Sequence, residues 1–125
     1  MNEIYKGMDN AAEQINENFE KTKVESGSDE NGRWIKYPDG TMECFMKPLE
    51  VHMEDRNGVL YQSSGFIWTF PQEFEEIYIV DVQNRSFGSI GGYVTDVTNQ
   101  SCKVRGVGPQ ILNGTITATA FGRFK

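Results

Sequence analysis

Along this chain the rhythm of polar and apolar positions changes once, around residue 25. Before it, apolar residues fall at Ala12, Ile15 and Phe19, steps of three and four that place them along one side of a helix. Asn10 can cap that helix, with Glu13 three positions on in the capping-box spacing. A helix of about three turns is marginal in water, so its stripe needs a partner. The partner is either the chain's own β domain or the same stripe on other copies. Self-association is favoured, because only three or four apolar side chains are on offer. Ile4, Met8, Ala11, Ile15 and Asn18 also fit a loose heptad, although Gly7 opposes a helix begun that early. Ser26–Gly32 reads as a linker by composition.

From Gly32 onward the period becomes that of strands. Arg33–Tyr37 and Thr41–Met46 flank Pro38-Asp39-Gly40, a tight hairpin in which proline presets the first turn position and glycine takes the left-handed one. Leu49–Met53 and Val59–Ser64 flank a second turn at Asp55–Gly58. Gly65–Phe70 alternates, with Phe66, Trp68 and Phe70 on one face and Ile67 and Thr69 on the other, and Pro71 ends it. Glu76–Val82 is apolar on both faces, as in a central strand. Ser89–Gly92 reads as a flexible loop. Tyr93–Thr98, Cys102–Val107 and Thr115–Phe121 follow, the last two joined by Gly-Pro and Asn-Gly turn signals. About eight short strands with regular turns predict an antiparallel β-sandwich or barrel.

Composition narrows the function more than the fold. The chain of 125 residues makes one domain with a short appendage, divided at 1–31 and 32–125. No apolar run is long enough to span a membrane, and the first residues lack a signal-peptide pattern, so synthesis in a cytoplasm is expected. Cys44 and Cys102 sit at alternating apolar positions and read as reduced packing residues. Residues 1–31 and 32–100 each carry a net −5, whereas the last 25 residues carry Lys103, Arg105, Arg123 and Lys125 and no acid. Four cations are too sparse to imply nucleic acid; they form a basic edge that could dock an acidic neighbour or merely discourage aggregation.

Catalytic groupings are scarce. His52 is the one histidine, and no nucleophile elbow accompanies it. Metal-ligand pairs and phosphate-binding glycine loops are missing, and Glu73, Glu75 and Glu76 read as a solvated acidic loop. No cofactor is expected. Binding chemistry remains: Trp34 and Tyr37 near Asp39, Arg85 before Phe87, and Tyr93 near Asp96 place aromatic faces beside hydrogen-bonding groups, the combination that saccharides require. Core or hairpin packing is the commoner explanation of each unless several meet on one surface.

Three segments together resemble small tail-tip, baseplate and tail-fibre proteins of tailed bacteriophages and prophages. Ala11–Lys21, AAEQINENFEK, is similar to their "INENF" helix. Asn31–Phe45, NGRWIKYPDGTMECF, resembles their "NG-x-W/Y-x-K-x-PDGT" hairpin, and Ile67–Phe74, IWTFPQEF, their "FP-x-x-F" strand exit. The ending AFGRFK is similar to their "G-x-W/F-K" close. The resemblance implies a mainly β fold, an H-type-lectin-like antiparallel sandwich of about six to eight strands after a short N-terminal helix. It also implies a homotrimer, with Ala12, Ile15 and Phe19 as a seam, carried at the distal end of a virion tail and assembled in the bacterial host cytoplasm. Expected partners are other tail proteins and cell-surface carbohydrate, without nucleic acid or membrane insertion. The alternative is a purely structural tail component.

Overall fold

The computed structural model describes residues 23–85 and 91–125, so the helix expected around Ala12, Ile15 and Phe19 lies outside the described residues. The described chain is mainly β, with eleven antiparallel strands in place of the six to eight expected: β1(Glu25–Asp29), β2(Gly32–Lys36), β3(Thr41–Phe45), β4(Leu49–Met53), β5(Asp55–Asn57), β6(Leu60–Gln62), β7(Phe66–Thr69), β8(Glu76–Asn84), β9(Gly91–Thr95), β10(Ser101–Gly108) and β11(Leu112–Arg123).

Two long strands organise two sheets. In the six-stranded sheet, β11 takes β3 along Thr119–Arg123 and β4 along Leu112–Ile116, and β8 along Ile116–Arg123 on its other edge. Pro48 lies in the short break between β3 and β4, where the Thr117 hydroxyl bonds the Met46 carbonyl at 2.8 Å. The hairpin β2–β3 continues that sheet outward, and β1 closes it. In the five-stranded sheet, β10 takes β9 on one edge and β7 and β6 on the other, with β5 beyond β6.

Period-two alternation fills the space between the sheets. β10 buries Cys102, Val104, Gly106 and Gly108; β11 buries Ile116, Ala118, Ala120 and Gly122. Met42 and Cys44 join them from β3, Met46 from just after it, and Trp68 from β7. Trp68, Phe70 and Phe74 form an edge-to-face run with ring centres 4.9 and 5.3 Å apart. Removing the Phe74 ring would cost about 3–5 kcal/mol. The Trp68 indole N–H also donates to the Asn31 carbonyl at 2.8 Å, tying the first turn to the second sheet.

Four readings of the sequence are corrected here. Most of Ser26–Gly32 is not a linker but the hairpin of β1 with β2, in register Glu25↔Lys36 to Asp29↔Gly32. An outer strand with mostly exposed side chains needs no apolar stripe, so its composition resembles that of a linker. Glu76–Asn84 is likewise not central: among the described residues it pairs with β11 alone. Its register slips between Phe121 and Gly122, leaving Tyr78 without a partner, and this bulge turns both Tyr78 (52% exposed) and Ile79 (59%) outward. Finally, Gly91 and Gly92 open β9, and Asn113-Gly114 lies inside β11 and makes no turn.

Candidate functional site

The structure distributes the six predicted ligand residues over three places. Trp34 is half-buried against the core and lies beneath β1, so it is a packing residue. Tyr37 donates from its hydroxyl to Glu43 Oε1 at 2.8 Å, and that bond to a carboxylate is the main cause holding its phenol above the usual tyrosine range. Asp39 accepts from the Thr41 hydroxyl at 2.6 Å and the Thr41 N–H at 2.9 Å, which lowers its carboxyl pKa. Both serve the Pro38–Gly40 turn, where Gly40 takes φ 93°. Arg85 stands exposed just past β8, its N–H bonded to the Thr115 carbonyl.

Tyr93 and Asp96 belong elsewhere, on the outer face of the five-stranded sheet. Because β10 buries its even-numbered residues, Lys103 and Arg105 point away from the core. Register then sets Arg105 opposite Tyr93, and Lys103 between Thr95 and Ile67. The Arg105 guanidinium carbon lies 5.8 Å from the centre of the Tyr93 ring, and Nη1 reaches the Thr95 hydroxyl at 3.4 Å. The Tyr93 hydroxyl donates to Gln62 Oε1 on β6, holding the ring across β10. Asp96, at φ 53°, turns its carboxylate to within 3.7 Å of the Lys103 ammonium. Left-handed backbone is better tolerated by aspartate than by most residues.

Gly65 completes this face. A β-carbon there would fall 2.5 Å from Lys103 Cδ and 3.0 Å from Arg105 Nη2, so it would push both side chains away from the β6–β7 link. That link is fixed by Ser63, whose N–H donates to the Gly106 carbonyl and whose hydroxyl accepts from the Gly106 N–H, both at 2.9 Å. An aromatic ring, a guanidinium, an ammonium, a carboxylate and an amide thus share one open surface.

A second polar region is a cleft of about 720 Å³ along β4 and β11, lined by Glu50, His52, Gln110, Asn113 and Thr115 among others. His52 lies 2.6 Å from Asn113 Oδ1 and 3.4 Å from Glu54 Oε2. The hydroxyl and carboxylate groups of that lining are those of Thr115 and Glu50. Of the acidic loop, Glu73 accepts from Gln100 and Glu76 pairs with Arg123; no group of metal-ligating side chains occurs among the described residues.

Lys103, Arg105, Gln62 and Gly65 were not singled out as ligand residues from the sequence. Alternation in Cys102–Val107 does put Lys103 and Arg105 on one face, but their meeting with Tyr93 depends on a strand pairing that the sequence does not print.

No protein-family model matches the sequence, and no curated protein matches it. Among solved structures, the fold is similar to a C-terminal part of the P. aeruginosa R1 pyocin fibre, with TM-score 0.57 and 15% identity over 80% of this chain and 28% of that one. It is also similar to an N-truncated R1-type pyocin tail fibre, with TM-score 0.50 and 14% identity over 79% of this chain and 86% of that one. The chain therefore spans under a third of the first of these structures. At such identities the likeness establishes a shared fold.

Proposed function

We propose that the chain is a non-enzymatic tail appendage of a phage or phage-tail-like particle, and that it recognises a glycan on the host surface. It assembles as a homotrimer in the bacterial host cytoplasm and is carried at the distal end of the tail. The observation that carries this reading is the grouping of Tyr93, Arg105, Lys103 and Asp96 on one open face of a fold shared with two pyocin tail fibres. The INENF-like and PDGT-like segments support the same assignment independently of the fold. An H-type-lectin-like character fits a two-sheet antiparallel architecture.

Assembly into a trimer is supported by an apolar patch on the outer face of the six-stranded sheet. There Phe121 and Ile79 face each other on neighbouring strands, the Tyr78 ring stands 5.8 Å from that of Phe121, and Ile35 lies at the same level on β2 beyond Glu43 of β3. Exposed apolar patches of this kind mark contact surfaces. The seam through Ala12, Ile15 and Phe19 rests on the sequence.

The test is an array of bacterial surface polysaccharides probed with the full chain. Binding to at least one class, reduced by Tyr93→Ala, is the expected result. No binding to any, together with co-purification with other tail proteins, would favour the structural-component reading.

A further inference from the structure

Three ion pairs occur among the described residues, His52–Glu54, Lys103–Asp96 and Arg123–Glu76, and Arg105 takes part in none of them. This is notable in a chain of net charge −6, where carboxylates outnumber guanidinium and ammonium groups. Arg105 is half-buried, and among the described residues its one hydrogen bond to another side chain is the 3.4 Å contact with Thr95. A guanidinium carries five N–H donors in a rigid fork, so most of its capacity stays unspent. Tyr93 on one side and Gly65 on the other fix its position.

Lys103, two residues along on the same face, adds a second cation. Its partner Asp96 has a side chain 74% exposed, and an ion pair in that setting contributes little. An incoming anion can therefore draw on the Lys103 ammonium without breaking a strong contact. Around Arg105 and Lys103 the face supplies donors in excess: the neighbouring carboxylate, Asp96, is already engaged, and Asp55 lies farther out on β5, beyond Gln62. A neutral sugar needs donors and acceptors in comparable number; an anionic group needs donors alone.

We propose that this face binds an anionic saccharide, one bearing a carboxylate or a phosphate. The anionic group sits on the Arg105 fork within reach of Lys103, and the sugar lies against Tyr93 and Thr95. The inference rests on the glycan-recognition reading above and names the class of glycan.

The test is binding of the full chain to four polysaccharides by isothermal titration: a carboxylated polymer, the same polymer with its carboxyls reduced, a polyol phosphate polymer, and a neutral homopolymer. One anionic polymer is expected to bind, and the arm that does so distinguishes carboxylate from phosphate. Carboxyl reduction, or raising NaCl from about 0.05 to about 0.5 M, weakens binding by about ten-fold or more. Arg105→Gln does the same, and Arg105→Lys restores little, because a point charge lacks the fork. Gly65→Ala weakens binding at unchanged net charge, whereas Arg56→Gln on β5 leaves it intact. Circular dichroism and thermal unfolding of each variant separate lost binding from lost fold. Equal, salt-independent binding to neutral and anionic polymers would overturn the anionic assignment and leave glycan recognition standing. Binding to none of them and to no member of the wider array would overturn both.

Discussion

Gly27 and Trp34 face each other across β1 and β2, and a β-carbon on Gly27 would fall 2.2 Å from the indole Cζ2. The indole covers the glycine and packs on the core beneath. Gly27→Ala should therefore displace Trp34 or detach β1, lowering the unfolding free energy by about 1–3 kcal/mol. Denaturant unfolding in a double-mutant cycle isolates the cause. In a Trp34→Ala background the Gly27→Ala loss should nearly vanish; an undiminished loss would show that the indole is not what the new methyl strikes.

Ser63 is 2% exposed and makes two hydrogen bonds to Gly106, the residue after Arg105. Ser63→Ala keeps the backbone bond and strips the Gly106 N–H of its acceptor. A buried amide left unpaired costs about 1–3 kcal/mol. The urea midpoint should fall accordingly with an unchanged slope. Amide exchange at Gly106 should quicken selectively; exchange as slow as in the parent would mean that the hydroxyl is not the acceptor holding it.

Burial pushes the Cys44 thiol up to about 12 and the Cys102 thiol up to about 11. Both folded values lie above the ordinary thiol value, so both groups stay neutral at physiological pH. Their contribution to stability is complete below that ordinary value and is lost as pH rises through about 11 and then about 12. Thiolate is the reactive form. Ellman's reagent should therefore label neither cysteine in the native protein at pH 8, and label both once urea unfolds it. Rapid labelling of the native chain would contradict their place in the core.

How far the sequence led can be judged from particular residues. Pro38-Asp39-Gly40 specified its hairpin because the information is local: a fixed proline φ, an aspartate that bonds Thr41, and a glycine at positive φ. Leu49–Met53 likewise emerged with the expected bounds. Glu25–Asp29 did not, because an outer strand with mostly exposed side chains carries no apolar signal. Glu76–Asn84 misled in the opposite sense: its two-sided apolar text reflects a bulge and an exposed patch rather than a central position. The candidate face was half legible. Tyr93 and Asp96 were named for their chemistry, and Arg105 was noted only as charge. Their union is a matter of register, and register is set by non-local pairing.

The remaining prediction concerns assembly, where two surfaces compete. β8 runs for nine residues from Glu76 to Asn84 and pairs with β11 alone among the described residues. On its outer face Tyr78, Ile79 and Phe121 form an apolar patch, which Glu43 separates from Ile35. The leader offers three apolar side chains, Ala12, Ile15 and Phe19, of which one is an alanine. Tyr78, Ile79 and Phe121 are all large side chains, so the sheet face should dominate as the seam. Light scattering of the full chain is expected to give about three times the 14.2 kDa chain mass. Ile79→Lys places a charge in that patch and should bring the mass down to the single chain while leaving the β spectrum unchanged. Ile15→Asp and Phe19→Asp should weaken assembly less. If instead the leader variants dissociate the protein and Ile79→Lys does not, the helix is the seam and the apolar patch faces another tail protein.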